Sequence, residues 1–254
     1  MALPYPFNIA TSLTATALRA GAGVSARIDG KQPEKLLELY DFEACPHCRL
    51  VREVLTELDI DALIKPCPKG GQRYRQEIKE RGGKAQFPYL VDPNTGTELY
   101  ESTAIIRYLF ETYGSGSVPW HWQIVEVQRF SSVLASVPRW GEGLRAYPAN
   151  PPELPLELYS FESSPFARPV RDLLCEMEIA YILRSVGRTQ ASDWVPPAVR
   201  KQGTGDSSPK SRNRIALQER AGIISIPYLV DPNTGEEMAE SAAILDYLKR
   251  TYAA

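Results

Sequence analysis

The residues best suited to chemistry in this 254-residue chain are Cys45 and Cys48, in the run Cys45-Pro46-His47-Cys48. A thiolate is a nucleophile, and a second thiol three residues on can resolve a mixed disulfide. The preceding run LLELYDF reads as a strand. Pro46 suits the first turn of a helix, which Leu50, Val51, Val54, Leu55 and Leu58 continue at helical spacing. Cys45 is thus expected where a strand ends and a helix begins, where free N–H groups and the helix dipole stabilise an anion. Arg49 and Arg52 add positive charge. The expectation is a Cys45 nucleophile of lowered pKa, Cys48 as its resolving partner, and His47 tuning the site. Zinc is the rival chemistry, but a structural site wants four ligands. The remaining candidates, Cys67, Cys175, His47 and His121, include no second Cys-x-x-Cys and no paired histidines, so no metal site is expected. An iron–sulfur cluster shared across a dimer is the lesser alternative.

The elements that must position these thiols occur twice. LELYDFEACPHCRLVREVLTELDIDALI (37–64) aligns without a gap with LELYSFESSPFARPVRDLLCEMEIAYIL (156–183), at offset 119. FPYLVDPNTGTELYESTAIIRYLFETY (87–113) aligns with IPYLVDPNTGEEMAESAAILDYLKRTY (226–252), at offset 139. The second copy therefore carries 20 extra residues within 184–225, a Ser-, Pro- and Gly-rich region expected to be a surface loop. In each copy the order reads β-α-β-α-β-β-α: PNTG turns between two strands, and Ser102 is expected to cap the last helix. Right-handed crossovers then give a four-stranded mixed sheet flanked by helices. The expected layout is an α/β fold with an N-terminal helical leader over 1–35, domain 1 over 36–114, a helical connector over 115–154 and domain 2 over 155–254.

The leader deserves separate treatment because it is Ala/Ser/Thr-rich and has no acid before Asp29, as in a transit peptide. Its segment SLTATALRAGAG (12–23) returns as SVLASVPRWGEG (132–143), where no targeting signal acts. It is therefore expected to belong to the fold, with a cytoplasmic, reducing location and an organelle such as the plastid as the alternative.

The strand–CPHC–helix unit, the later FPYL and the Glu101-Ser102 pair resemble the glutaredoxin family and the thioredoxin-like N-terminal domain of glutathione S-transferases. The duplicated layout, with DPNTG in both copies, resembles tandem proteins of that glutaredoxin-like, transferase-N-terminal type. The resemblance implies two thioredoxin-like domains and a glutathione site. Pro88 would be the cis-proline beside the cysteines, and the backbone of Phe87 would pair with glutathione like an added strand. Glu101 would bind the γ-glutamyl ammonium and Ser102 its carboxylate. Lys69, Arg73 and Lys84 are candidates for the glycyl carboxylate.

The second copy lacks the thiols: Ser164, Pro165, Phe166 and Ala167 stand at the Cys-Pro-His-Cys positions. Ser164, Pro227, Glu240 and Ser241 still define a candidate second site, with Phe166 and Ala167 expected either to fill the pocket or to leave it open. Cys67 and Cys175 are expected to be structural. Trp120, His121, Trp122 and Trp140 are expected to staple the two domains together.

Three functions follow. The first is a glutathione-linked thiol–disulfide oxidoreductase, with glutathione as co-substrate and disulfides or glutathionylated molecules as partners. The second is a conjugating glutathione transferase. The third is a non-enzymatic glutathione or iron–sulfur module. A net charge of -2 gives no electrostatic case for nucleic acid or an anionic membrane. No run of about 18 apolar residues is present to span a bilayer. Nothing in the sequence sets the oligomeric state.

Overall fold

Leu37 and Leu39 alternate with larger polar and aromatic neighbours along β1 (Leu37–Asp41), and this alternation gives the sheet two covered faces. The computed structural model describes residues 4–139, 141–194 and 208–254. Trp140 and residues 195–207, within the stretch that holds the insertion, lie outside the described residues.

Helix α1 (Tyr5–Leu18) precedes β1. The first half continues with α2 (Pro46–Glu57), β2 (Ala62–Pro66), α3 (Arg73–Gly82), β3 (Tyr89–Asp92), β4 (Thr97–Tyr100) and α4 (Ser102–Thr112). Leu37, Leu39, Ala62, Ile64 and Leu90 meet α2 and α4 on one face. Tyr40, Tyr89 and Val91 meet Tyr74 and Ile78 of α3 on the other. Two connector helices follow, α5 (Trp120–Gln123) and α6 (Val125–Ser136). The second half comprises β5 (Leu156–Ser160), α7 (Arg168–Glu176), β6 (Tyr181–Ser185), α8 (Arg212–Ala221), β7 (Tyr228–Asp231), β8 (Glu236–Ala239) and α9 (Ser241–Tyr252). The described residues thus form nine α-helices and a mixed sheet.

The sheet differs from the expected pair of four-stranded sheets. It has eight strands in the order β4-β3-β1-β2-β6-β5-β7-β8. β2 and β6 pair antiparallel, with Leu63 opposite Ile182 and Ala62 and Ile64 opposite Leu183 and Tyr181. Leu63 and Ile182 are equivalent at offset 119, so the pairing is symmetric about that point. An exposed β2 or β6 edge would leave backbone N–H and C=O groups unpaired; pairing the two edges satisfies both.

DPNTG has a structural task in each half. Asp92 accepts from the Asn94 backbone N–H at 2.7 Å and from the hydroxyls of Tyr108 and Tyr113 at 2.6 and 2.5 Å. Asp231 binds Asn233, Tyr247 and Tyr252 in the same way. The turn is thereby tied to the end of α4 or α9.

Ions join the halves. Arg52 on α2 binds Asp41, the Glu43 backbone carbonyl and, at 2.9 Å, Glu162 of the other half. Arg171 on α7, its offset-119 equivalent, reaches back to Glu43 at 2.9 Å and to the Glu162 carbonyl at 2.8 Å. All four side chains are buried. Among the described residues the connector aromatics Trp120, His121 and Trp122 do not do this work, and Trp140 lies outside them. Trp122 packs on Phe110 and donates to Glu57 at 2.8 Å, both in the first half, while Trp120 is exposed.

Candidate active site: the Cys45–Cys48 turn

The backbone turns after β1, with Cys45 N–H donating to the Phe42 carbonyl at 3.0 Å. Cys45 is the N-cap of α2 in extended conformation, and its Sγ accepts from the Cys48 backbone N–H at 3.3 Å. It fills the role a serine or aspartate plays at other helix starts, which is why the chain places a sulfur there. The Cys45 thiol is held below the ordinary thiol value. A hydrogen bond from the Cys48 thiol is the largest cause; the Cys48 and His47 backbone N–H groups and the Arg52 charge act the same way, against burial. Cys48 is pushed far up by burial and by giving that hydrogen bond to Cys45. The pair is therefore split into an anion-prone thiol and a protonated one.

Some expectations for the site need correction. Arg49 is turned into Glu53 at 3.1 Å, whereas Arg52, committed to three carboxylates, lowers the Cys45 thiol, though less than the hydrogen bonds do. Ser102 is the first residue of α4, and Glu101 is the N-cap position, with no side-chain capping bond. Of the three candidate cations, Arg73 stacks on Tyr74 and meets Glu178 of the other half. Lys84 lies over the Tyr100 ring at 4.7 Å, and the Lys69 backbone pairs with residues 144–146.

The other site residues are connected to the cysteine turn through a chain of contacts. The Phe87–Pro88 peptide bond is cis. The Phe87 ring meets Phe42 edge-on at 6.1 Å, which brings it to the turn that binds Cys45. Gln86 donates to the Glu101 carboxylate. Glu101 has φ +69° and ψ 116°, a strained backbone for a non-glycine residue. Ser102 behind it is buried, and its helix start offers free N–H groups.

Sequence reasoning missed two residues here. Arg75 lies over the Phe87 ring at 4.8 Å, held by the Pro68 and Cys67 carbonyls at 2.7 and 2.9 Å. Its offset-139 match, Arg214, makes the same bonds to Gly187 and Val186, and that pairing was the signal available in the sequence. Gln86 carried no signal of its own.

In the second half, Ser164 Oγ accepts from the Ala167 N–H at 3.2 Å, as Cys45 does from Cys48. Ile226–Pro227 is cis, and Glu240 has φ +70°. Ser164, Pro227, Glu240 and Ser241 share a cavity of about 420 Å³ with Phe161, Phe166, Arg188, Trp194 and Arg214. Phe166 forms part of the wall and leaves the space open; Ala167 is buried. Cys67 is buried among Tyr40, Tyr74 and Tyr89, and Cys175 lies at the junction of the halves, accepting from the Glu43 N–H at 3.3 Å. Burial raises both thiols. Among the described residues no cluster of three or more His, Cys, Asp or Glu is placed to hold a metal ion. No described helix is long and apolar enough to cross a membrane.

Residues 39–117, from within β1 to beyond α4, match the family model described as the glutathione S-transferase N-terminal domain. The match supports a thioredoxin-fold domain of the transferase N-terminal type over that stretch, which contains Cys45, Cys48, Phe87, Pro88, Glu101 and Ser102. No curated protein and no solved structure matches the chain.

Proposed function

We propose that the protein is a glutathione-linked thiol–disulfide oxidoreductase built from two thioredoxin-like units, of which only the first carries out redox chemistry. The observation that carries this reading is the split thiol pair at the α2 start: Cys45 held low, Cys48 held high. The Cys45 thiolate attacks the sulfur of a glutathione mixed disulfide, forming a Cys45–glutathione disulfide and releasing the substrate thiolate. A second glutathione thiolate then attacks the glutathione sulfur, giving glutathione disulfide and returning Cys45. Alternatively, Cys48 attacks Cys45, displaces glutathione and leaves a Cys45–Cys48 disulfide, which two glutathione molecules reduce. The glutathione would lie along the Phe87–Pro88 backbone, with Glu101 facing its ammonium and the Ser102 helix start facing its carboxylate. Arg75, beside Phe87, joins Lys69, Arg73 and Lys84 as a candidate cation for the glycyl carboxylate. In the second unit, Ser164, Pro227, Glu240 and Ser241 would bind glutathione without redox turnover.

A glutathione-coupled mixed-disulfide reductase assay tests this. Wild type should turn over, and Cys45→Ser should lose at least about 1000-fold, since it removes the nucleophile. Activity retained in Cys45→Ser would refute the reading.

One observation favours a conjugating transferase as the second reading. A cavity of about 470 Å³ lies between α2, α4 and α6, lined by Leu50, Thr103, Ile106, Trp122 and Val125. Thr103 adjoins Ser102, so an apolar electrophile there would lie beside a glutathione site. Turnover of an aryl halide with glutathione that survives Cys48→Ala, without disulfide reductase activity, would select it.

A further inference from the structure

Helices α1 and α6 bury their polar sides and expose their apolar ones. On α1 the buried residues are Asn8, Thr11, Ser12 and Ala15, while Phe7, Leu13 and Leu18 face outward. On α6, Ser132 and Ala135 are buried, while Val127, Phe130, Val133 and Leu134 face outward and Val137 continues the row. Phe7, Phe130 and Val137 are 60, 68 and 69% exposed.

The inward polarity has a cause. Arg139, buried after α6, takes the Asn8 carbonyl at 2.9 Å and the Thr11 and Ser12 hydroxyls at 2.7 and 2.8 Å. Arg19, buried after α1, takes the Gln128 side chain at 2.7 Å and the Ser131 hydroxyl. The end of each helix thus holds the beginning or middle of the other, so they pack antiparallel. Among the described residues nothing covers the outward apolar rows.

We propose that this face is the contact surface for a second copy of the chain, two antiparallel helix pairs meeting as a four-helix layer. The spacing supports it: 127, 130, 134 and 137 alternate by three and four, the seam of a helix–helix interface. So does the charge pattern. Helix α1 has no charged residue, and α6 has only Glu126 and Arg129, which approach each other at 3.5 Å. A helix lying on a membrane surface carries Lys and Arg beside its apolar face, and these do not. The outward side chains offer roughly 700 Å² of apolar surface, near the ~800 Å² that one partner contributes to a stable interface.

Sedimentation equilibrium of the full chain between about 1 and 100 µM tests this, since mass action makes a dimer concentration-dependent. We expect a dimer in wild type and in Ile28→Glu, an exposed apolar residue in the loop after α1. Val127→Glu and Phe130→Glu should be monomeric, with wild-type circular dichroism and a melting temperature that no longer rises with concentration. A monomeric wild type would overturn the proposal. So would a dimer that survives both Glu variants, or wild-type flotation with phosphatidylcholine vesicles that Phe130→Glu abolishes.

Discussion

Cys45 and Cys48 share a helix turn, yet one thiol is lowered, chiefly by the hydrogen bond between them, and the other is raised, chiefly by burial and further by giving that bond. Replacing the donor should show it. The alkylation rate of Cys45 against pH should give an apparent pKa below the usual thiol range in wild type. Cys48→Ala should raise that value, and Cys48→Ser should raise it less, because a hydroxyl still donates. An unchanged or lower value in Cys48→Ala would contradict the assignment. Away from the site, burial pushes the Glu176 carboxyl up to about 7, while its Oε1 accepts from the Gly143 N–H at 2.8 Å. A raised carboxyl keeps its proton when folded at pH values where the unfolded chain has lost it. Its contribution is therefore greatest below the ordinary value of 4.5 and is lost as pH rises toward about 7. Urea midpoints should fall across that window, and Glu176→Gln should make the fall smaller by the equivalent of about 2–3 kcal/mol, leaving the share of the raised Asp41, Asp59 and Asp172 carboxyls. A profile identical in Glu176→Gln would exclude Glu176 as the source. At this scale the sequence was most legible at Cys45, because N-cap position and Cys-x-x-Cys spacing are local. Arg52 does lower the thiol as read, but the reading of Arg49 as a charge beside it missed the turn into Glu53, a partner that could not be placed without the fold.

Helix α2 explains that misreading. Its apolar stripe was visible at helical spacing, and an ordinary surface helix would turn the opposite face to water. Here Arg49, Arg52, Glu53 and Thr56 on that face are buried as well. The loops that follow α1 and α6 approach α2 and α7 closely. Gly23 has φ +74°, and a Cβ there would lie 2.9 Å from both Glu53 Cγ and Glu162 Cβ. Gly143, its offset-120 equivalent, has φ +72°, and a Cβ would lie 2.7 Å from Glu43 Cβ. We expect Gly23→Ala and Gly143→Ala each to cost about 2–4 kcal/mol in denaturant unfolding, from positive φ together with overpacking. A change below about 0.5 kcal/mol would mean that the loops yield freely, a result at odds with such close contacts. The strands and turns were legible almost to the residue: ALIKP is β2 itself, and PYLVD and TELYE contain β3 and β4.

At the scale of the molecule, one sheet and one ion cluster run through both halves. The repeat was plain in the sequence; the β2–β6 join was not, because edge strands look alike whether paired or free. The Arg52–Glu162 and Arg171–Glu43 pairs span 110 and 128 residues, beyond the reach of any local pattern. A shared sheet and cluster should make thermal unfolding a single transition, with Arg52→Met lowering stability by about 3–5 kcal/mol through the carboxylates it leaves unpaired. Two resolved transitions in wild type would show that the halves unfold independently. If Cys45 is the attacking thiol, its product can be trapped directly. Cys48→Ser should be exposed to glutathione disulfide and mapped by peptide mass spectrometry. We expect one glutathione, on Cys45, with Cys67 and Cys175 unmodified. Glutathione on Cys67 or Cys175 in the folded protein, or none on Cys45, would contradict it.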